Sequence, residues 1–118
     1  MEEVLVVDDS KFSRRVSKEI LEKLNHKILG EAVDGVDGIA KFQELSPSLI
    51  VTDIEMPNLD GIGMIQKIRD LDSDVKIVVV TSVVNSQVIQ EVKRLKISVV
   101  KKPINETKLQ NAITLLSR

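Results

Sequence analysis

Apolar residues alternate along this chain between two kinds of spacing. Short, mainly apolar runs at Val4–Val7, Leu49–Val51, within Lys76–Val80 and at Ile97–Val100 have the length and β-branching of buried strands. A weaker, mixed run, KILGEAV at Lys27–Val33, reads as a fifth strand. After each run, apolar residues recur every three or four positions, which places them on one face of a helix. The five sets are Phe12, Val16, Ile20, Leu21 and Leu24; Val36, Ile39, Ala40 and Leu45; Ile62, Ile65, Ile68 and Leu71; Val88, Ile89, Val92 and Leu95; and Leu109, Ala112, Ile113 and Leu116. A residue able to cap a helix N-terminus precedes or begins each set: Ser10, Asp34, Asp60, Asn85 and Asn105.

Five strand-then-helix repeats predict an α/β domain. An eight-unit barrel would need about 250 residues, and this chain has 118. An open parallel sheet of five strands, doubly wound with helices on both faces, fits as one domain over residues 1–118. Ligands of such sheets bind outside the carboxyl ends of the strands. The residues that follow each strand are therefore the candidate site. They are Asp8 and Asp9, Thr52 and Asp53, Thr81 and Ser82, and Lys101, Lys102 and Pro103. Asp34 and Gly35, after the second strand, read as a turn.

Three acids thus share one rim with hydroxyls and lysine. Two like charges about 4 Å apart repel by roughly 4 kcal/mol at an effective dielectric of ~20. Asp8, Asp9 and Asp53 must protonate, splay apart or bind a cation. With no histidine or cysteine beside them, the suited ion is hard and oxygen-seeking, and Mg²⁺ is the best candidate. Such an ion beside lysine and hydroxyls suits phosphate. Neither a G-x-x-x-x-G-K-[ST] loop nor a G-x-G-x-x-G turn is present, so nothing here cradles a nucleotide. A carboxylate can itself accept the phosphoryl group as an aspartyl phosphate. Taken singly, Asp8 and Asp9 could equally cap a helix, and Lys102 could be a surface lysine; their joint placement favours a site.

Composition narrows the alternatives. A net charge of -1 gives no reason to expect nucleic-acid binding, and aromatics at 2% leave no stacking platform. Without cysteine there is neither a disulfide nor a thiolate metal site. No run approaches the ~20 apolar residues of a membrane span, and the start, Met1-Glu2-Glu3, is unlike a signal peptide. A cytoplasmic location is the expectation.

Four fragments, in order and each at a predicted strand end, carry a family resemblance: VLVVDDS with Phe12 and Arg14, IVTDIEMPNLDG, VVVTS and KKP. Together they resemble the receiver domain of bacterial two-component response regulators, most simply the single-domain chemotaxis type, over Glu2 to Ser117. The resemblance implies a flavodoxin-like sheet of order 2-1-3-4-5. It implies that Asp53 is the phosphoacceptor and that Asp8, Asp9, Asp53 and the backbone carbonyl of Glu55 hold Mg²⁺, Asp8 largely through water. Thr81 becomes the switch hydroxyl and Lys102 the phosphate-pairing lysine, followed by a cis Lys102–Pro103 bond. The donor would be a sensor histidine kinase or a histidine phosphotransfer domain. Phosphorylation would switch a surface for a downstream protein target, in a monomer or weak dimer. The basic residues Lys11, Arg14, Arg15 and Lys18 could meet the donor. Lys93, Arg94, Lys96 and Lys101 could meet the target on the face of helix four, strand five and helix five. Such a protein catalyses only its own phosphorylation and dephosphorylation.

The chain departs from the family pattern in two places. Val99 stands where active receivers usually carry Tyr or Phe, and Leu95 and Lys96 replace a usual Gly-Ala pair, which predicts a longer fourth helix. Glu55 and Val83, two residues beyond Asp53 and Thr81, are candidates for setting the lifetime of the phosphorylated state. Two other functional classes compete. One is a Mg²⁺-dependent phosphohydrolase working through an aspartyl phosphate; the other is a degenerate receiver acting as a constitutive interaction domain. The chain could also be one domain of a longer regulator.

Overall fold

In the computed structural model, which describes residues 1–117, strands and helices alternate strictly. The strands are β1 (Glu3–Val7), β2 (Lys27–Ala32), β3 (Leu49–Thr52), β4 (Lys76–Thr81) and β5 (Ser98–Lys101). The helices are α1 (Lys11–Lys23), α2 (Gly35–Leu45), α3 (Gly61–Leu71), α4 (Ser86–Leu95) and α5 (Glu106–Leu116). The sheet is wholly parallel, in the order β2-β1-β3-β4-β5.

Each helix begins at the capping residue expected of it. The side chains of Ser10, Asp34, Asp60, Asn85 and Asn105 accept from the amides of Ser13, Asp37, Gly63, Val88 and Lys108. One otherwise unpaired donor per helix is thereby satisfied.

The two-residue period of the strands divides the core in two. Leu5, Val7, Ile50, Ile77 and Val79 face Phe42, Met64, Ile65, Ile68 and Leu95 of α2, α3 and α4. Val4, Val6, Leu49, Val51, Val78, Val80 and Val100 face Leu21, Leu109, Ala112 and Ile113 of α1 and α5.

Several residues of the helical stripes do not enter either core. Phe12, Val36, Leu71 and Ile89 are exposed. Phe12 and Val36 lie in first turns and Leu71 ends α3. A helix of 13 residues, such as α1, is about 20 Å long, whereas five strand residues span about 16 Å; the ends overhang the sheet. Ile89 is turned away from Val88, because α4 covers the sheet with only a narrow stripe through Val88, Val92 and Leu95. The fifth strand is displaced one residue from expectation, starting at Ser98 and including Lys101. Helix α4 does continue through Leu95, and Lys96 closes it in the left-handed region at φ 57°.

Candidate functional site

Strand register brings the acidic residues together. Val7 lies opposite Thr52 across β1 and β3. The next residue of each strand, Asp8 and Asp53, therefore leaves the sheet side by side. Main-chain bonds hold both: the Asp8 amide donates to Ala32 O (3.1 Å) and the Asp53 amide to Val7 O (3.0 Å). Thr81 lies opposite Lys101 across β4 and β5. The Lys102 amide donates to Thr81 O at 2.8 Å, so the lysine follows at the same rim. The Lys102–Pro103 bond is cis, as the resemblance implied.

Carboxylate oxygens of Asp8, Asp9 and Asp53 all lie within 4.8 Å of one another. Asp8 is buried and Asp9 exposed. Lys102 Nζ is 3.2 Å from Asp53 Oδ2 and 3.6 Å from Asp8 Oδ2. The second Asp53 oxygen accepts from the Ile54 amide at 2.7 Å. Asp8 Oδ1 accepts from the Ser10 amide at 2.9 Å.

The electrostatics match this crowding. Burial pushes the Asp8 carboxyl above the usual carboxylate range; Asp53 and Asp9 add to the rise, and the Ser10 amide and Lys102 oppose it. Burial works to lower the Lys102 ammonium, but attraction from Asp53 and Asp8 outweighs it and the net shift is upward. Three carboxylates and one ammonium leave the site two negative charges in excess. A divalent cation cancels that excess, and an all-oxygen donor set suits Mg²⁺. The residues present thus fit the ion.

The match to the response regulator receiver domain family spans residues 4–114. The chain is a member of that family. This receiver is 32% identical over 116 residues to the chemotaxis protein CheY of Thermotoga maritima, covering 98% of this chain and 97% of that one. It is 35% identical to the response regulator domain of Thermotoga maritima CheB, with TM-score 0.80 over 98% of this chain and 90% of that one. Its fold is also that of a chain in the CheX-CheY-BeF3-Mg²⁺ complex of Borrelia burgdorferi, with TM-score 0.93, 22% identity and coverage of 98% and 89%. Receivers of this family serve two-component and chemotaxis signalling. No described helix is long and apolar enough to cross a membrane.

Other expected residues of the receiver are less tightly gathered. Thr81 is buried at the rim, but its Oγ1 accepts from the Val83 amide at 3.2 Å rather than joining the Asp53–Lys102 pair. Glu55 is exposed in the β3–α3 loop. Val99 is half-buried and packs on the core beneath α4, so an aliphatic side chain fills the place of the usual aromatic. Of the basic residues Lys11, Arg14, Arg15 and Lys18 on α1, three are already paired within the chain. Arg15 pairs with Glu19, while Arg14 and Lys18 both turn to Glu31.

Sequence reasoning missed one positioning residue, Gly61. The sequence pattern marked only its neighbour Asp60, as a helix cap. In fact the Gly61 amide donates to Ile54 O (2.8 Å), and its α-carbon rests on the main chain of Asp53 and Ile54. The adjacency of the capping Asp60 and a glycine was the available signal.

Proposed function

We propose that this receiver is a phosphorylation-switched signalling module whose phosphoacceptor is Asp53. The observation that carries the reading is the Asp53 carboxylate: one oxygen is tied to the Ile54 amide, while the other faces Lys102 among the acids of β1. Asp8, Asp9, Asp53 and the Glu55 carbonyl would hold Mg²⁺. When bound, the ion supplies positive charge to the oxygens of the transferring phosphoryl group.

The donor is a phosphohistidine of a sensor kinase or phosphotransfer domain. An Asp53 oxygen forms the new P–O bond, the P–N bond breaks, and its electron pair stays on the imidazole. Lys102 pairs with the phosphoryl oxygens and helps balance their charge. The Thr81 hydroxyl exchanges the Val83 amide for a phosphoryl oxygen. That exchange shifts a two-state equilibrium of the β4–α4 region and alters the α4–β5–α5 face, which meets a downstream protein. The protein works in the cytoplasm, as a monomer or weak dimer, and catalyses only its own modification.

Intact mass after incubation with acetyl phosphate tests this. One phosphoryl group should be gained with Mg²⁺, and none with chelator or in Asp53→Asn. No gain under any condition would overturn the reading in favour of a constitutive interaction domain. Release of many equivalents of phosphate from unrelated phosphate esters would instead indicate a hydrolase.

A further inference from the structure

Arg14 lies one turn into α1, behind the turn made by Asp8 and Asp9, with its side chain 13% exposed. Its Nη1 donates to the main-chain carbonyl of Asp8 at 2.7 Å, and its Nε donates to Glu31 Oε1 at 3.2 Å. Glu31 belongs to β2, and its other oxygen accepts from Lys18 Nζ at 2.9 Å. From α2, Lys41 Nζ donates to the main-chain carbonyl of the same glutamate at 3.2 Å. The Lys18 bond is the main cause that holds the Glu31 carboxyl below its ordinary range, with burial opposing and Arg14 assisting. Groups from α1 and α2 thus fix Glu31, Glu31 orients Arg14, and Arg14 grips the peptide between Asp8 and Asp9.

The placement of these donors is informative. A guanidinium needed for its charge alone would aim at the carboxylates of a site with excess negative charge. Arg14 instead donates to a neutral carbonyl and to an acid on the strand β2. Its neighbour Arg15 is a built-in comparison: it is exposed and meets only Glu19 on the helix surface, at 3.1 Å.

We propose that Arg14 is a positioning residue of the divalent-cation centre. By holding the Asp8 carbonyl, it sets the plane of the Asp8–Asp9 peptide and so the directions in which both carboxylates leave the main chain. Outer contacts of this kind typically change metal affinity by about 10- to 100-fold. The inference rests on the reading of Asp8 and Asp9 as Mg²⁺ ligands.

The test is Mg²⁺ titration of the metal-free full chain, by calorimetry and backbone amide shifts, in wild type, Arg14→Met, Arg15→Met and Glu31→Ala. Charge and position predict opposite signs. Loss of a positive charge beside an acidic centre strengthens cation binding through charge alone. Arg15→Met should therefore bind Mg²⁺ as tightly as wild type or slightly tighter. Arg14→Met should bind about tenfold more weakly or worse, and Glu31→Ala should weaken binding by less. In the metal-free protein, exchange of the Ser10 amide, bonded to Asp8 Oδ1, should quicken in Arg14→Met but not in Arg15→Met. An Arg14→Met protein that binds Mg²⁺ as tightly as wild type overturns the inference. If that variant does not fold, Glu31→Ala decides through the Ser10 amide, whose exchange would not quicken from loss of the glutamate charge alone; an exchange rate equal to wild type there overturns it. A wild type that fails to bind Mg²⁺ overturns the underlying reading of the acids, and the inference with it.

Discussion

Gly61 packs its α-carbon against the carbonyl of Asp53. A Cβ there would strike that oxygen and come within 2.8 Å of Ile54 Cα. Both are main-chain atoms and cannot swing aside. Gly61→Ala should therefore cost about 2–3 kcal/mol of stability, as overpacked cores do, and displace the proposed acceptor. Urea unfolding measures the first effect. Phosphorylation by acetyl phosphate should slow more than the loss of folded protein explains.

Asp8 is an acid whose burial makes its charge unfavourable. Its folded pKa lies above the unfolded value. At neutral pH both states are ionised and the folded state carries the cost. As pH falls through the folded pKa the cost fades, and below the unfolded pKa it is gone. Asp8→Asn keeps an oxygen for the Ser10 amide and removes the charge. In metal-free buffer at pH 7 it should be more stable than wild type by on the order of 1 kcal/mol, and the gap should close as pH is lowered towards 4. Urea unfolding of both proteins across that range measures it.

Glu55 is exposed two residues beyond Asp53, and Val83 is 43% exposed two beyond Thr81. Both are the candidates named above for setting the lifetime of an acyl phosphate on Asp53. Glu55→Asn should change the dephosphorylation rate several-fold with little change in stability. A time course of intact mass after removal of the phosphodonor checks this. A rate equal to wild type would exclude the residue from that role.

Arg69 fastens the last turn of α4 to its neighbours. Its Nε donates to Leu95 O (2.9 Å), Nη1 to Val75 O (2.6 Å) and Nη2 to Lys96 O (3.3 Å). Arg69→Met should leave carbonyls at the end of α4 and the start of β4 unpaired, at a cost of about 1–3 kcal/mol. Hydrogen exchange should quicken most near Ile97, whose amide bonds to Val92 O, and least at the Asn85 cap.

Much of this architecture was legible because it is local. Five capping side chains each reach an amide three residues on, a relationship that sequence spacing displays directly. The five strand runs named the rim residues, because a parallel sheet presents its strand ends on one side. Contacts between distant main-chain segments were not legible. Gly61 against Asp53 and Arg14 on the Asp8 carbonyl depend on how loops fold back, which no periodicity encodes. Phe12 and Leu71 misled for a related reason: they keep the helical period yet lie where the helix has outrun the sheet.

The cation that answers the aspartates is also the last to be made. Lys102 follows Asp53 by 49 residues and arrives just after the edge strand β5. On the ribosome, β1 and β3 can pair long before that lysine emerges. The growing half-sheet then carries a cluster of acids with no counter-charge from its own strand ends, and like-charge repulsion disfavours closing it early. Docking of β5 brings Lys102 in and lowers that penalty without cancelling it. The groups that prepare the site for phosphate thereby give the nascent chain a reason to complete its sheet as one unit.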